Sequence, residues 1–267
     1  MLLQDKIAVV YGGAGAIGAA AARTFAREGA RVFLAGRTAD RLKAVAADIV
    51  DGGGDAEWAV VDALDPDAVR AHAGDVVAAA GGLDISFNAI GVDHVQGKPL
   101  TELAPADFSF PIATYTTTQF LTATAAARHM RERGSGVILL LSTTASQVAM
   151  PTDGFGPACA AVEALSVQLA GELGPHAVRV VCLRPDGIPE TVDHGSHVRD
   201  LWTRAAGFAG MTLQDLLAAG PGAPGALLER PVTLADVAET AAFLASDRAA
   251  ATTAIVANIS RGSVLGR

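Results

Sequence analysis

Eight residues near the start of the chain, Tyr11-Gly12-Gly13-Ala14-Gly15-Ala16-Ile17-Gly18, place glycines and small side chains between a short apolar run and an Ala-rich stretch. A strand-to-helix turn of that composition can bring backbone N–H groups against a pyrophosphate. Gly12 permits the tight bend, Ala14, Gly15, Ala16 and Ile17 line the approach, and Gly18 lets the helix pack closely on the strand. The start of that helix adds partial positive charge. The next apolar run, RVFLAG, ends at Gly36-Arg37. Gly36 has no carboxylate to offer a ribose 2′-hydroxyl, whereas the Arg37 guanidinium suits a 2′-phosphate, so these residues predict NADP(H) in preference to NAD(H). Asp62 and Ala63 follow the run AEWAVV, where a side chain can accept from an adenine amino group, and Asn88-Ala89-Ile90-Gly91 closes the run ISFN.

To converge, these residues need a common edge, and the order of the chain supplies one. Short β-branched or apolar runs (KIAVVY, RVFLAG, AEWAVVD, GGLDISFNAIG, GVILLLS, VRVVCLRP, AIVANI) alternate with helical stretches, a long one from Pro105 to Arg133, others over Gly156 to Leu173 and TLADVAETAAFLAS. Continuous apolar strands alternating with helices predict an α/β, Rossmann-type doubly wound parallel sheet of about seven strands, with helices on both faces. Ligands of such sheets bind outside the carboxyl ends of the strands. The chain is expected to form a single domain, 1–267. A Gly- and Pro-rich stretch over residues 188–230, with an amphipathic piece around Leu201 to Leu217, is expected to act as a substrate lid.

Bulk properties exclude several classes. A net charge of −8 opposes a nucleic-acid partner, whose phosphates demand Lys and Arg. Only Cys159 and Cys182 occur, which is too few for a disulfide framework and fits a cytoplasmic protein. No apolar run is long enough for a bilayer, and MLLQDKIAVVYGG lacks the basic start of a signal peptide. His194 and His197 are three residues apart without a third ligand, so no metal site is expected.

On the glycine turn, Asp62, the Asn88-Ala89-Ile90-Gly91 turn and Asn258 in NISRG, the chain resembles the short-chain dehydrogenase/reductase family over nearly its whole length. The resemblance implies hydride transfer between NAD(P) and a carbonyl or alcohol. It implies a serine that orients the substrate, here Thr143 with Ser142 before it. It also implies a Tyr-x-x-x-Lys pair at the start of the next helix, and in Gly156-Pro157-Ala158-Cys159-Ala160 these fall on Gly156 and Ala160, which can neither donate a proton nor carry a charge. The relay asparagine of the family falls on Tyr115, whose phenol is a candidate acid in place of the missing tyrosine. Pro185 and Ile188, in Arg184-Pro185-Asp186-Gly187-Ile188, would reach the nicotinamide end, although Asp186 interrupts the family's Pro-Gly turn.

The expectation is therefore an NADP(H)-dependent oxidoreductase with an atypical active site, reducing a carbonyl, enone or imine of a small apolar molecule. Thr143 and Ser142 would bind the developing oxyanion. The resemblance also implies a homodimer or homotetramer. Two other readings use the same residues. One is a redox-inactive partner subunit or sensor, and the other is a lyase, isomerase or cyclase on the same scaffold.

Overall fold

The computed structural model describes residues 1–149, 153–194, 196–220 and 225–265. In chain order the main elements are β1 (Ile7–Tyr11), α1 (Ala16–Arg27), β2 (Arg31–Gly36), α2 (Ala39–Asp51), β3 (Asp55–Val60), α3 (Pro66–Ala80) and β4 (Ile85–Asn88). They continue with α4 (Pro105–Arg133), β5 (Gly136–Leu141), α5 (Phe155–Leu173), β6 (Val178–Pro185), α6 (Val198–Phe208), α7 (Leu213–Ala219), α8 (Leu234–Ala245) and β7 (Ile255–Ile259). The strands form one parallel seven-stranded sheet in the order β3-β2-β1-β4-β5-β6-β7. This is the doubly wound Rossmann arrangement. Chain order reverses between β1 and β4, and that switch opens a crevice at the carboxyl edge.

Alternation along each strand divides the core between the two faces. Ala8 and Val10 of β1, Val32 and Leu34 of β2 and Phe87 of β4 pack with Phe25 of α1 and Ala241 of α8. Val9 and Tyr11, Phe33, and Leu140 of β5 face the other way, toward Tyr115 and Met130 of α4 and Val162 of α5. Because both faces are covered, the central strands are buried and largely apolar, Ser86 and Asn88 of β4 being buried polar exceptions. β3, at the sheet edge, is largely exposed.

Helix starts follow local chemistry. Asp65 caps α3 by accepting from the N–H groups of Asp67 and Ala68, with Pro66 in the first turn. Thr233 and Asp236 form a reciprocal capping box on α8. The amphipathic piece expected around Leu201 to Leu217 is two helices rather than one. Gly210, at φ +69°, turns the chain out of α6, and a second capping box between Thr212 and Asp215 starts α7. Val192, Leu201 and Trp202 bury one face of this segment. Residue 195 and residues 221–224 of the expected lid lie outside the described residues. No helix among the described residues is long and apolar enough to cross a membrane.

Candidate functional site

The carboxyl ends of β1, β2, β4, β5 and β6 surround a cavity of about 780 Å³, large for a small-molecule site. Its first wall is the glycine turn. Gly12 sits at φ +74°, and a Cβ there would stand 2.8 Å from the Ala89 carbonyl carbon. A Cβ on Gly18 would stand 2.2 Å from the Gly12 carbonyl oxygen, so Gly18 works by close packing and is not itself part of the cavity wall. Gly12, Ala14, Gly15, Ala16 and Ile17 do line it. Gly15 occupies the N-cap of α1, no side chain caps that helix, and no acidic residue lies in its first turn. The start of α1 therefore brings its backbone donors and dipole to the cavity with neither a side-chain cap nor a first-turn carboxylate among the described residues, which fits the pyrophosphate of a dinucleotide.

Past the end of β2, Arg37 and Thr38, with Arg41 in the first turn of α2, line the same cavity. Asp62 and Ala63 line it beyond β3, where the Asp62 carboxylate also accepts from the Leu64 N–H at 3.0 Å. Ala89 and Gly91 reach it after β4, and Pro185 and Ile188 after β6. Asn88 does not. Its amide donates to Thr122 Oγ1 at 2.8 Å and its oxygen accepts from the Ile90 N–H at 3.0 Å, so it holds the turn from behind.

The residues expected to do the chemistry separate. Thr143 lines the cavity, with its hydroxyl 3.5 Å from Cys159 Sγ and accepting from the Ala145 N–H. Ser142, its neighbour at the strand end, points the other way: fully buried, it donates to Glu163 at 2.5 Å and is not part of the cavity wall. Its expected role at an oxyanion is therefore corrected to a structural one. Tyr115 borders the cavity, but its hydroxyl donates to the Leu141 carbonyl at 2.7 Å, and burial pushes its pKa well above the phenol range. A proton so held is unsuited to leave, which corrects the expectation of Tyr115 as the acid.

The helix register shifts as well. The start of α5 is expected to present Gly156 and Ala160, yet Ala160 is exposed and Gly156 is buried away from the cavity. The side chains one residue earlier turn that way: Phe155 lines the cavity, while Cys159, fully buried and not part of the wall, meets Thr143. One residue is about 100° of helix rotation, enough to exchange a cavity-facing position for a solvent-facing one. Burial pushes the Cys159 thiol up to about 12, so it is a packed thiol and not a nucleophile.

Behind Thr143 lies a charge cluster that the sequence reading missed. Glu163 accepts from Ser142, from Ser146 at 2.6 Å, and from Arg184 at 2.7 and 2.5 Å, while Arg184 also donates to Asn258 at 2.9 Å. Burial alone would raise the Glu163 carboxyl, but these hydrogen bonds and the guanidinium charge outweigh it and hold the pKa below its ordinary value. A visible signal existed: Glu163 interrupts the apolar run Ala158 to Leu165 four residues after Cys159.

Asp186, the residue between Pro185 and Gly187, is 3% exposed and accepts from Thr144, the Gly187 N–H, Arg261 and Ser263. It ties the C-terminal segment to the cavity wall, so the departure from a Pro-Gly turn is accommodated by hydrogen bonding. His94 lies in the loop that follows Gly91. It is buried in the cavity wall, stacked on Phe155 with ring centroids 4.2 Å apart at 13°. Trp202, Leu201 and Leu216 from the 188–230 segment close the apolar side, and His197 joins them. His194 is exposed, and no group of three metal-ligating side chains occurs among the described residues.

Known proteins share this architecture. The sequence profile of a family described as enoyl-(acyl carrier protein) reductase matches residues 12–263. The chain belongs to the short-chain dehydrogenase/reductase family. It is 32% identical over 251 residues to D-threitol dehydrogenase of Mycolicibacterium smegmatis, covering 93% of this chain and 88% of that one. It is 30% identical to tropinone reductase-like 2 of Erythroxylum coca, covering 92% and 86%. A solved short-chain type dehydrogenase/reductase from Mycobacterium ulcerans superposes with a TM-score of 0.84 at 26% identity, over 100% of this chain and 92% of that one. One from Mycobacterium marinum gives 0.81 at 27%, over 98% and 96%. The chain is thus a short-chain oxidoreductase, of a family that uses NAD(P)(H).

Proposed function

We propose that this short-chain dehydrogenase/reductase is NADP(H)-dependent, with an atypical active site, and reduces a carbonyl, enone or imine of a small, largely apolar molecule. The observation that carries the nucleotide preference is the passage from β2 to α2, where the cavity meets Arg37 and Arg41 and Gly36 offers no carboxylate. Guanidinium groups pair bidentately with phosphate, while a ribose 2′-hydroxyl gains little from them. A bound nicotinamide supplies the hydride.

The protein's own part is to seat the dinucleotide on the glycine turn, present an apolar pocket and exclude water. Phe155, Val148, Trp202 and Leu216 provide that apolar wall. Thr143 is the hydroxyl in reach of a developing oxyanion. Phe155 at the cavity and Cys159 behind Thr143 support the atypical site, since Phe155 has no ionisable group and burial pushes the Cys159 thiol up to about 12, and a positioned acid contributes about 10² to 10⁴ in rate. The same two residues favour one alternative, a nucleotide-binding partner subunit or sensor without redox activity. Cytoplasmic location and a homodimer or homotetramer complete the proposal.

The test is a fluorescence titration of the purified protein with NADPH and NADH, followed by a panel of ketones, enones and imines. NADPH should bind at least tenfold more tightly, and Arg37→Ala should remove most of that margin. Equal affinity in the unaltered protein would end the case for NADP(H). Binding without turnover across the panel would favour the partner or sensor reading.

A further inference from the structure

We propose that His94 Nε2 is the hydrogen-bond acceptor of the substrate pocket, and that the site grips the hydroxyl-bearing member of an alcohol/carbonyl couple on an apolar molecule. Nδ1 lies 2.9 Å from the Val92 carbonyl oxygen, which can only accept, so the proton of a neutral ring is on Nδ1 and the lone pair is on Nε2. Nε2 is buried and has no partner among the described residues. An unsatisfied buried polar atom costs about 1–3 kcal/mol and in a native protein calls for a reason. Here the ring forms part of the cavity wall and is only 9% exposed, which points to a ligand donor as the missing partner.

Three contacts hold the ring in place. It stacks on Phe155, the side chain at the head of α5 that faces the cavity. Asp153 accepts from the N–H groups of Val95 and Phe155, pinning the histidine loop to the start of that helix. Arg204, paired with Asp93, also reaches the His94 carbonyl oxygen. Burial, with the nearby His197 and Arg204 adding to it, pushes the imidazole down to about 4, so the ring is neutral at pH 7. A neutral ring with its Nδ1 proton engaged accepts from a hydroxyl but gives nothing to a carbonyl oxygen. The pocket is thereby biased toward the alcohol.

This rests on the proposed function only for the choice of couple, since the lone pair exists whether or not a nucleotide binds. The test uses the full chain labelled with ¹⁵N-histidine, read by long-range ¹H–¹⁵N NMR, with His94 assigned through His94→Gln. Cyclohexanol and cyclohexanone serve as probes. The free protein should show a protonated Nδ1 at His94, and cyclohexanol should shift the Nε2 resonance while cyclohexanone leaves it in place. Affinity for cyclohexanol should fall about tenfold in His94→Phe, which keeps the stack, and recover in part in His94→Gln, which restores an acceptor. A proton on Nε2, an equal response to both probes, no response to cyclohexanol, or unchanged affinity in His94→Phe would each overturn the proposal. Failure to bind NADPH or NADH would instead sink the nucleotide reading and leave this result standing.

Discussion

Replacing Glu163 by alanine strands a cation. Arg184 is 8% exposed, and two of its three side-chain hydrogen bonds go to the Glu163 carboxylate. Ser142 and Ser146 lose the same acceptor. Breaking a buried pair from one side costs about 3–5 kcal/mol, because the remaining charge keeps its desolvation penalty and loses its compensation. At ~2.1 cal/mol/K per residue, unfolding a chain of 267 residues carries an entropy of about 0.56 kcal/mol/K. The expected fall in Tm is then about 5–9 °C, read by differential scanning calorimetry at pH 7. Replacing both partners, Glu163→Met with Arg184→Met, should recover at least half of that loss, since the apolar pair leaves no buried charge. The sign with pH is fixed by the lowered carboxyl. Its contribution is present above the ordinary carboxylate range and is lost as pH falls through the depressed native value, so the wild-type advantage over Glu163→Ala should shrink in acid. A single-mutant shift below 2 °C, or a double mutant worse than the two single mutants combined, would refute the reasoning.

Other outcomes follow from the same geometry. Gly12→Ala forces a Cβ to 2.8 Å from the Ala89 backbone at φ +74°, and should lower stability by about 1–2 kcal/mol and abolish nucleotide binding, checked by thermal melts and fluorescence titration; retained affinity would contradict the turn's role. Tyr115→Phe removes the hydroxyl bonded to the Leu141 carbonyl and should cost about 1 kcal/mol with turnover unchanged. A large loss of turnover there would reinstate the phenol as acid. For His94, a native value of about 4 against an ordinary 6.5 means the native state binds fewer protons between those limits, so stability rises with pH across that window. Relative to His94→Phe, the wild type should lose up to about 3 kcal/mol on acidification from pH 6.5 to 4, and parallel stability curves for the two proteins would argue against a neutral buried ring.

The alternation of apolar runs with helical stretches, the glycine turn and the absence of a carboxylate after RVFLAG all lie in sequence order, because strand and helix periodicity and a backbone turn are local properties. The seven-stranded sheet and the convergence of Gly12, Arg37, Asp62, Gly91 and Ile188 on one edge follow from that pattern, since parallel crossovers leave few topologies. Side-chain direction was not legible in the same way. Ser142 and Thr143 are adjacent hydroxyls, and which one meets the cavity depends on the strand end; which side of α5 turns toward it depends on where the helix begins, a choice between Phe155, with Cys159 behind Thr143, and Gly156 with Ala160. The partners of Glu163, Tyr115 and His94 lie 21, 26 and 61 positions away in Arg184, Leu141 and Phe155. Whether a polar group is a catalyst, a strut or a ligand's counterpart is set by burial and by what lies opposite, and only the packing of distant segments brings those into being.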